Sequence, residues 1–360
     1  MAGLSDPVAL GAGEDFACAV ILGGEVECWG RNDAGDLGDG TATGPEECPH
    51  PRYLREDDCS RVPVRVSGIT NATAVVAGVG FACALLETHS IDCWGFGLDG
   101  ELGNGHSERS LTPVQVSGIT NAITIAAGEA EACAVLSNHT VKCWGDNHGG
   151  ALGDGKTQEE QESSDVPVEV SGITSAVAVT SGDTDACAVL ESGEVRCWGS
   201  NLSGDLGDGK TQQEQESTDV PVKVSGITTA TALTAAWRHI CALLKSGKVE
   251  CWGDDEFGDL GDGHSFEPSP TPVAVSGIST ATHIASGYFH TCAVLSSGGV
   301  DCWGENAFGQ LGDGKTEAEQ EESSTPVEVK GLSGIVGIAA YEDTTVAYGP
   351  SLPVATRQPE

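Results

Sequence analysis

The sequence predicts an all-β fold: a seven-bladed β-propeller with six complete four-stranded antiparallel blades and a partial seventh. Three observations carry this. A thirteen-residue pattern, Cys133-Ala-Val-Leu-Ser-Asn-His-Thr-Val-Lys-Cys143-Trp144-Gly145 in its third copy, recurs six times, starting at Cys18, Cys83, Cys133, Cys187, Cys241 and Cys292. The tryptophans closing these copies stand 65, 50, 54, 54 and 51 residues apart, about the length of one propeller blade. No long helical period appears, and with 50 glycines and 5% aromatics the composition suits short strands joined by tight turns.

The repeated pattern is a β-hairpin: two apolar runs flank three loop residues rich in Gly, Ser and Asn. With Ser137, Asn138 and His139 as the loop, Leu136 pairs with Thr140, Val135 with Val141, and Cys133 falls opposite Cys143. Opposed residues in an antiparallel pair have Cβ atoms roughly 4.5–5.5 Å apart, within reach of a disulfide. The expected staples are Cys18–Cys28, Cys83–Cys93, Cys133–Cys143, Cys187–Cys197, Cys241–Cys251 and Cys292–Cys302.

A full unit, taken over 112–155, adds two strands. Pro113-Val-Gln-Val116 is followed by a Ser-Gly-Ile-Thr-Asn turn, the strand Ile123–Ala127 and the loop Gly128–Glu131. After the hairpin, Gly149–Gly155 leads to the next unit. Proline cannot donate to a ladder, so Pro63, Pro113, Pro167, Pro221, Pro272 and Pro326 place their strands on the outer rim. The indole beside each Gly has the apolar area to pack between blades.

The pattern Gly-x-x-His-x-Cys-Ala-Leu, then Cys-Trp-Gly, then Gly-x-Leu-Gly-Asp-Gly, resembles the regulator of chromosome condensation repeat in its cysteine-paired bacterial form, over about residues 8–349. The resemblance implies a closed ring of seven blades. It leaves function open, because the family includes exchange factors, a photoreceptor and, related in fold, a propeller-type β-lactamase inhibitory protein.

Residues 335–348 are a partial seventh copy, in which Val346 stands where the first cysteine would be and no Cys-Trp-Gly follows. Family propellers often complete the last blade with an N-terminal strand. Here Ala2–Asp6 aligns with the turn, so that strand is not seen and a weak seam between first and last blades is expected. The expected organisation is one propeller domain over 1–349 with an inserted loop at 41–61, and a tail over 350–360. The insert contains Cys48 and Cys59, expected to form a seventh disulfide; His50 with two cysteines falls short of a metal site.

Gly150–Thr157, Gly204–Thr211 and Gly309–Thr316 match the P-loop pattern, but each recurs as part of the repeat, carries an Asp inside the would-be cradle, and is followed by an acidic polar tract rather than a helix. No nucleotide and no other cofactor is expected. The Asp- and Gly-rich loops do not follow the calcium-loop ligand order, so calcium could be held there in principle but is not expected. The net charge of −37 gives no basic patch for nucleic acid. No hydrophobic run is long enough to cross a membrane, and residues 1–12 carry no signal-peptide pattern. Fourteen cysteines in intrachain register argue for an oxidising compartment, hence an extracellular or cell-surface protein. A cytosolic chain with reduced thiols is the alternative.

The loops before each first cysteine vary most from unit to unit. Aromatics and Arg gather in the last three: Trp237-Arg238-His239, Tyr288-Phe289-His290 and Tyr341, with Phe16 and Phe81 in the first two. This is the composition of a binding hot spot, and corresponding loops of the related inhibitory protein form its inhibitory surface. Trp237-Arg238-His239 also resembles a motif of the plant photoreceptor, which needs such tryptophans on adjacent blades; one copy occurs here. The nine histidines are scattered over different repeat positions, with no nucleophile–base spacing. The expectation is a non-catalytic module that binds or inhibits a protein partner of unknown identity through one loop face. Guanine-nucleotide exchange on a small GTPase in the cytosol is the alternative.

Overall fold

A computed structural model describes residues 4, 6–49, 56–315 and 319–349. The 350–360 tail, His50 and most of the N-terminal turn lie outside the described residues. Within them the chain is a β-propeller with four-stranded antiparallel blades, six in number, plus a two-stranded sheet. The third blade shows the pattern. Ala122–Ala127 lines the inside, then come Glu131–Leu136, Val141–Asp146 and, outermost, Ser163–Glu169. The inner strands pack in sequence around a central channel, and the two-stranded sheet, Gly337–Tyr341 with Thr344–Tyr348, stands between the sixth blade and the first.

The hairpin register is the expected one. Cys133 faces Cys143 and Val135 faces Val141, and the same holds in the other five copies. All six cysteine pairs are bonded, with Cα atoms 4.0–4.1 Å apart. The third loop residue takes a left-handed backbone, φ +79° to +85° where it is Gly24, Gly193, Gly247 or Gly298. His89 and His139 adopt it too, at φ 63° and 64°. Each offsets the steric cost by bonding through Nδ1 to a carbonyl of the next blade, Ala122 O at 2.9 Å and Ala176 O at 3.0 Å.

The proline strands are outermost, but each belongs to the blade before the one its sequence unit suggests. Ser110–Gln115, with Pro113, pairs with Ile91–Gly95 of the second blade and not with the third-blade strand that follows it. The physical reason is local: the chain leaving Cys-Trp-Gly turns back and pairs beside it, whereas the next turn steps to a new inner strand. A blade is therefore offset by one strand from the sequence unit.

The insertion differs from a plain loop. Glu46–Pro49 pairs with Glu56–Arg65, giving the first blade a fifth strand, and Cys48–Cys59 joins them.

Tryptophan keys one blade to the next. Trp94, Trp144, Trp198, Trp252 and Trp303 are fully buried. Their indole Nε1–H groups donate to carbonyls of the preceding blade's loop, on Asp36, Glu101, Ala151, Asp205 and Asp259, at 2.8–2.9 Å. Gly153, at φ +63°, shows why this loop needs glycine: a Cβ there would stand 2.7 Å from Trp198. The P-loop-like lysines fold back on their own loops, Lys156 on Asp154 at 3.0 Å and Lys210 on Asp208 at 3.1 Å. Among the described residues the only helical turn is the short one at His148–Gly150.

Candidate functional site

Each blade's first and second strands are joined on the same end of the ring, because strand direction alternates and the hairpin loops occupy the opposite end. Backbone bonds run from one such loop to the next: Glu14 N–H to Gly78 O, Val79 N–H to Glu129 O, Glu129 N–H to Gly182 O and Tyr288 N–H to Glu342 O, at 3.0–3.2 Å. The residues Glu14, Val79, Glu129, Asp183, Trp237, Tyr288 and Glu342, each four positions before a first cysteine or its counterpart Val346, occupy equivalent positions around the channel. Behind several of them lies a cavity of about 220 Å3, walled by the inner strands and edged by Asp183, Trp237, Tyr288, Tyr341 and Glu342.

Five of the expected docking residues converge. The Trp237 and Tyr288 rings lie 6.4 Å apart, tilted by 29°. Phe289 meets Trp237 edge-on at 5.2 Å, and Tyr341 lies 5.4 Å from Tyr288. The Arg238 guanidinium stands 4.0 Å over the Trp237 ring, a cation–π contact. Phe257, which sequence reasoning missed, extends the cluster from an outer loop, 5.1 Å from Phe289. Its position within the variable loop after Cys-Trp-Gly was the available signal.

The other four docking candidates are corrected. Phe16, Phe81, His239 and His290 are buried, each at 4% exposure or less. They stand two residues before a cysteine, so strand alternation turns them to the same side as that cysteine, between blades. His239 Nε2 bonds Thr291 Oγ1 at 2.8 Å, and His290 Nε2 bonds Thr345 Oγ1 at 2.7 Å, across successive blade junctions. Burial pulls their pKa values down, to about 3 for His239 and about 4 for His290, so both are neutral at physiological pH. The third and fourth blades carry Glu131 and Asp185 at the same position, both buried.

Carboxylates dominate the remainder of the mouth. Glu129 is raised above the usual carboxylate range chiefly by its hydrogen-bonding contact with Asp183, then by burial, with Glu14 and Glu342 adding like charge. Glu14 is engaged by Arg31, which also holds Asp33. Burial raises the Tyr288 hydroxyl, and Glu129, Glu342 and Glu14 push it the same way.

This architecture defines a repeat propeller whose clustered aromatics and carboxylates gather at one end of the channel. The regulator of chromosome condensation (RCC1) repeat matches residues 93–135, 192–243, 246–294 and 297–348, and a second form of that repeat matches 176–205 and 281–310. The chain belongs to the RCC1 repeat family. It is 31% identical over 311 residues to the ultraviolet-B receptor UVR8 of Arabidopsis thaliana, covering 86% of this chain and 55% of the receptor. It is 29% identical over 352 residues to the human E3 ubiquitin-protein ligase HERC2, covering 97% of this chain and 6% of the ligase. The chain thus spans about half of one curated relative and a small part of the other. Among solved structures, human WBSCR16 superposes with a TM-score of 0.81 at 18% identity, covering 97% of this chain and 88% of that one. Yeast RCC1 (Prp20) bound to Kap60 gives 0.79 at 18%, covering 96% and 80%.

Proposed function

We propose that the chain is a non-catalytic extracellular module that binds or inhibits a partner protein through the aromatic side of the channel mouth. The observation that carries this is the convergence of Trp237, Arg238, Tyr288, Phe289 and Tyr341, from three adjacent repeats, in a chain with few aromatics elsewhere. Such residues dominate binding energy when they cluster at the centre of an interface. Disulfides across all six Cys-Trp-Gly hairpins support an oxidising compartment. The two-stranded sheet is read as the seventh blade, since its inner strand completes the ring. Binding partners are named for family members: the yeast protein is crystallised with Kap60 and described for its binding to Gsp1p and histones. At 18% identity those partners do not transfer to this chain.

The test is capture of a partner from the producing organism's extracellular fraction, with W237A/Y288A beside the unaltered protein. Truncating two hot-spot aromatics should weaken binding by about a hundredfold. Leu22→Ala, exposed on the hairpin end of the ring, should leave it unchanged. Equal capture by W237A/Y288A rejects this face as the docking surface. Fourteen alkylatable thiols in the unreduced protein would reject the extracellular assignment and favour cytosolic nucleotide exchange.

A further inference from the structure

The composition of the mouth says what kind of group the partner must present. Four of the seven equivalent rim positions are acidic: Glu14, Glu129, Asp183 and Glu342. Two of the other three are the aromatics Trp237 and Tyr288. The nearby cations already have partners, Arg31 on Glu14 and Asp33, and Arg238 over Trp237. Glu129 and Asp183 remain side by side, the Glu129 N–H bonded to Gly182 O at 3.0 Å, and the contact between the two carboxyls raises the pKa of Glu129. Aromatic faces and carboxylates both attract cations. Behind them the cavity is walled by aliphatic and small residues such as Leu10, Val75, Ile125, Val179 and Ile284, a surface suited to a methylene stem.

We infer that the channel mouth receives one basic side chain, lysine or arginine, projected by a loop of the partner, with its stem in the cavity and its charge between the Trp237–Tyr288 wall and the Glu129–Asp183 pair. This rests on the reading of that face as the docking surface. The charge balance of the chain, 17 basic against 54 acidic side chains, steers such a partner toward it. Entry of the cation favours the ionised form of Glu129, whose pKa is raised by its contact with Asp183 and by burial, so proton release accompanies binding. Charged or titratable groups facing this pair are Glu14 with its Arg31, Glu342, Tyr288 and Tyr341.

The experiment is titration calorimetry of the whole protein at pH 7 with acetyl-Gly-Lys-Gly-amide, its arginine counterpart and its norleucine counterpart. At least one basic peptide should bind saturably, while norleucine should not. The binding heat should change with the buffer's ionisation enthalpy, reporting the released proton. The variants E129Q/D183N and W237A should each weaken that peptide about tenfold. Glu328→Gln, an exposed acid on the outermost strand of the sixth blade, removes a carboxylate far from the mouth and should change nothing. Thermal melts of each variant check folding. Saturable binding by neither basic peptide, equal binding of norleucine, or unchanged affinity in E129Q/D183N each overturns the inference. A partner whose capture needs Trp237 and Tyr288 but tolerates E129Q/D183N would overturn it while leaving the proposed function standing.

Discussion

Two blade junctions show what the repeated motif does and how a junction weakens when half of it is missing. At the junction of the third and fourth blades, Trp198 is fully buried among Cys133, Cys143, Leu152, Val170 and Ile173, and its indole is bonded to Ala151 O. At the junction of the two-stranded sheet with the first blade, Trp29 is 8% exposed and, among the described residues, shares its buried cluster with only Ala17 and Ala19, flanked by Leu4, Leu10 and Val346. A side-chain bond, Tyr348 Oη–H to Val8 O at 2.7 Å, adds to that seam. The hairpin with its tryptophan is thus the unit of cohesion between blades, and the disulfide holds it in register.

Substitution of the tryptophans tests the difference between these junctions most severely. Trp198→Ala should cost about 3–5 kcal/mol in chemical unfolding, through lost apolar area and the cavity left behind. Trp29→Ala should cost clearly less; equal losses would show that the seam is as cohesive as the other junctions. Removing one staple, as C187A/C197A, should cost about 3 kcal/mol by freeing the unfolded hairpin. C48A/C59A should cost less, because that bond joins an added edge strand outside the inter-blade clusters. Backbone amides of Gly337–Tyr348 should exchange with solvent at least about tenfold faster than those of Val195–Ser200. Equal protection would remove the distinction.

A different contrast lies within the stapled blades. Asn32, Asn147, Asn201 and Asn306 are fully buried, and each accepts a backbone N–H at Oδ1. Their Nδ2 groups donate to loop carbonyls such as Gln161 O and Gln215 O. The fifth blade has Asp255 here: Oδ1 still accepts from Leu260, but Oδ2 finds no partner among the described residues, and burial pushes the pKa up to about 7. Asp255→Asn restores a donor, so it should stabilise by about 1–2 kcal/mol at pH 8.5. The gain should be much smaller at pH 5, where the carboxyl is already protonated and neutral.

Asp36 and Glu101 are likewise pushed up to about 7 by burial, and Glu131, Asp185 and Asp259 are raised for the same first cause. Each binds its proton more tightly folded than unfolded. The contribution of Asp36 and Glu101 is therefore present on the acid side and is lost as pH rises through about 7, and that of the other three is lost in the same direction. His239 and His290, held neutral, act oppositely below about 6.5 and contribute nothing above it. The melting temperature should fall between pH 6.5 and 8.5, and a rise over that interval would contradict the burial of these acids.

The strand content, hairpin register, six staples and inter-blade role of Trp were legible in the sequence, because each depends on residues at most about ten positions apart or on exact repetition of the pattern. The assignment of the Pro113 strand to the second blade was not, since a periodic sequence can be cut at any phase and only pairing selects one. The clustering of Trp237, Tyr288, Phe289 and Tyr341 was legible through the rarity of aromatics and their place in the repeat. Strand alternation sets Phe16, Phe81, His239 and His290 on the side of the following cysteine, but that this side is sealed between blades was decided by the stacking of neighbouring repeats. So were the burial that raises the Asp255 pKa and the contact of Glu129 with Asp183. These rest on burial and on distances across the ring, where residues about fifty positions apart become neighbours, and local pattern carries no information about such encounters.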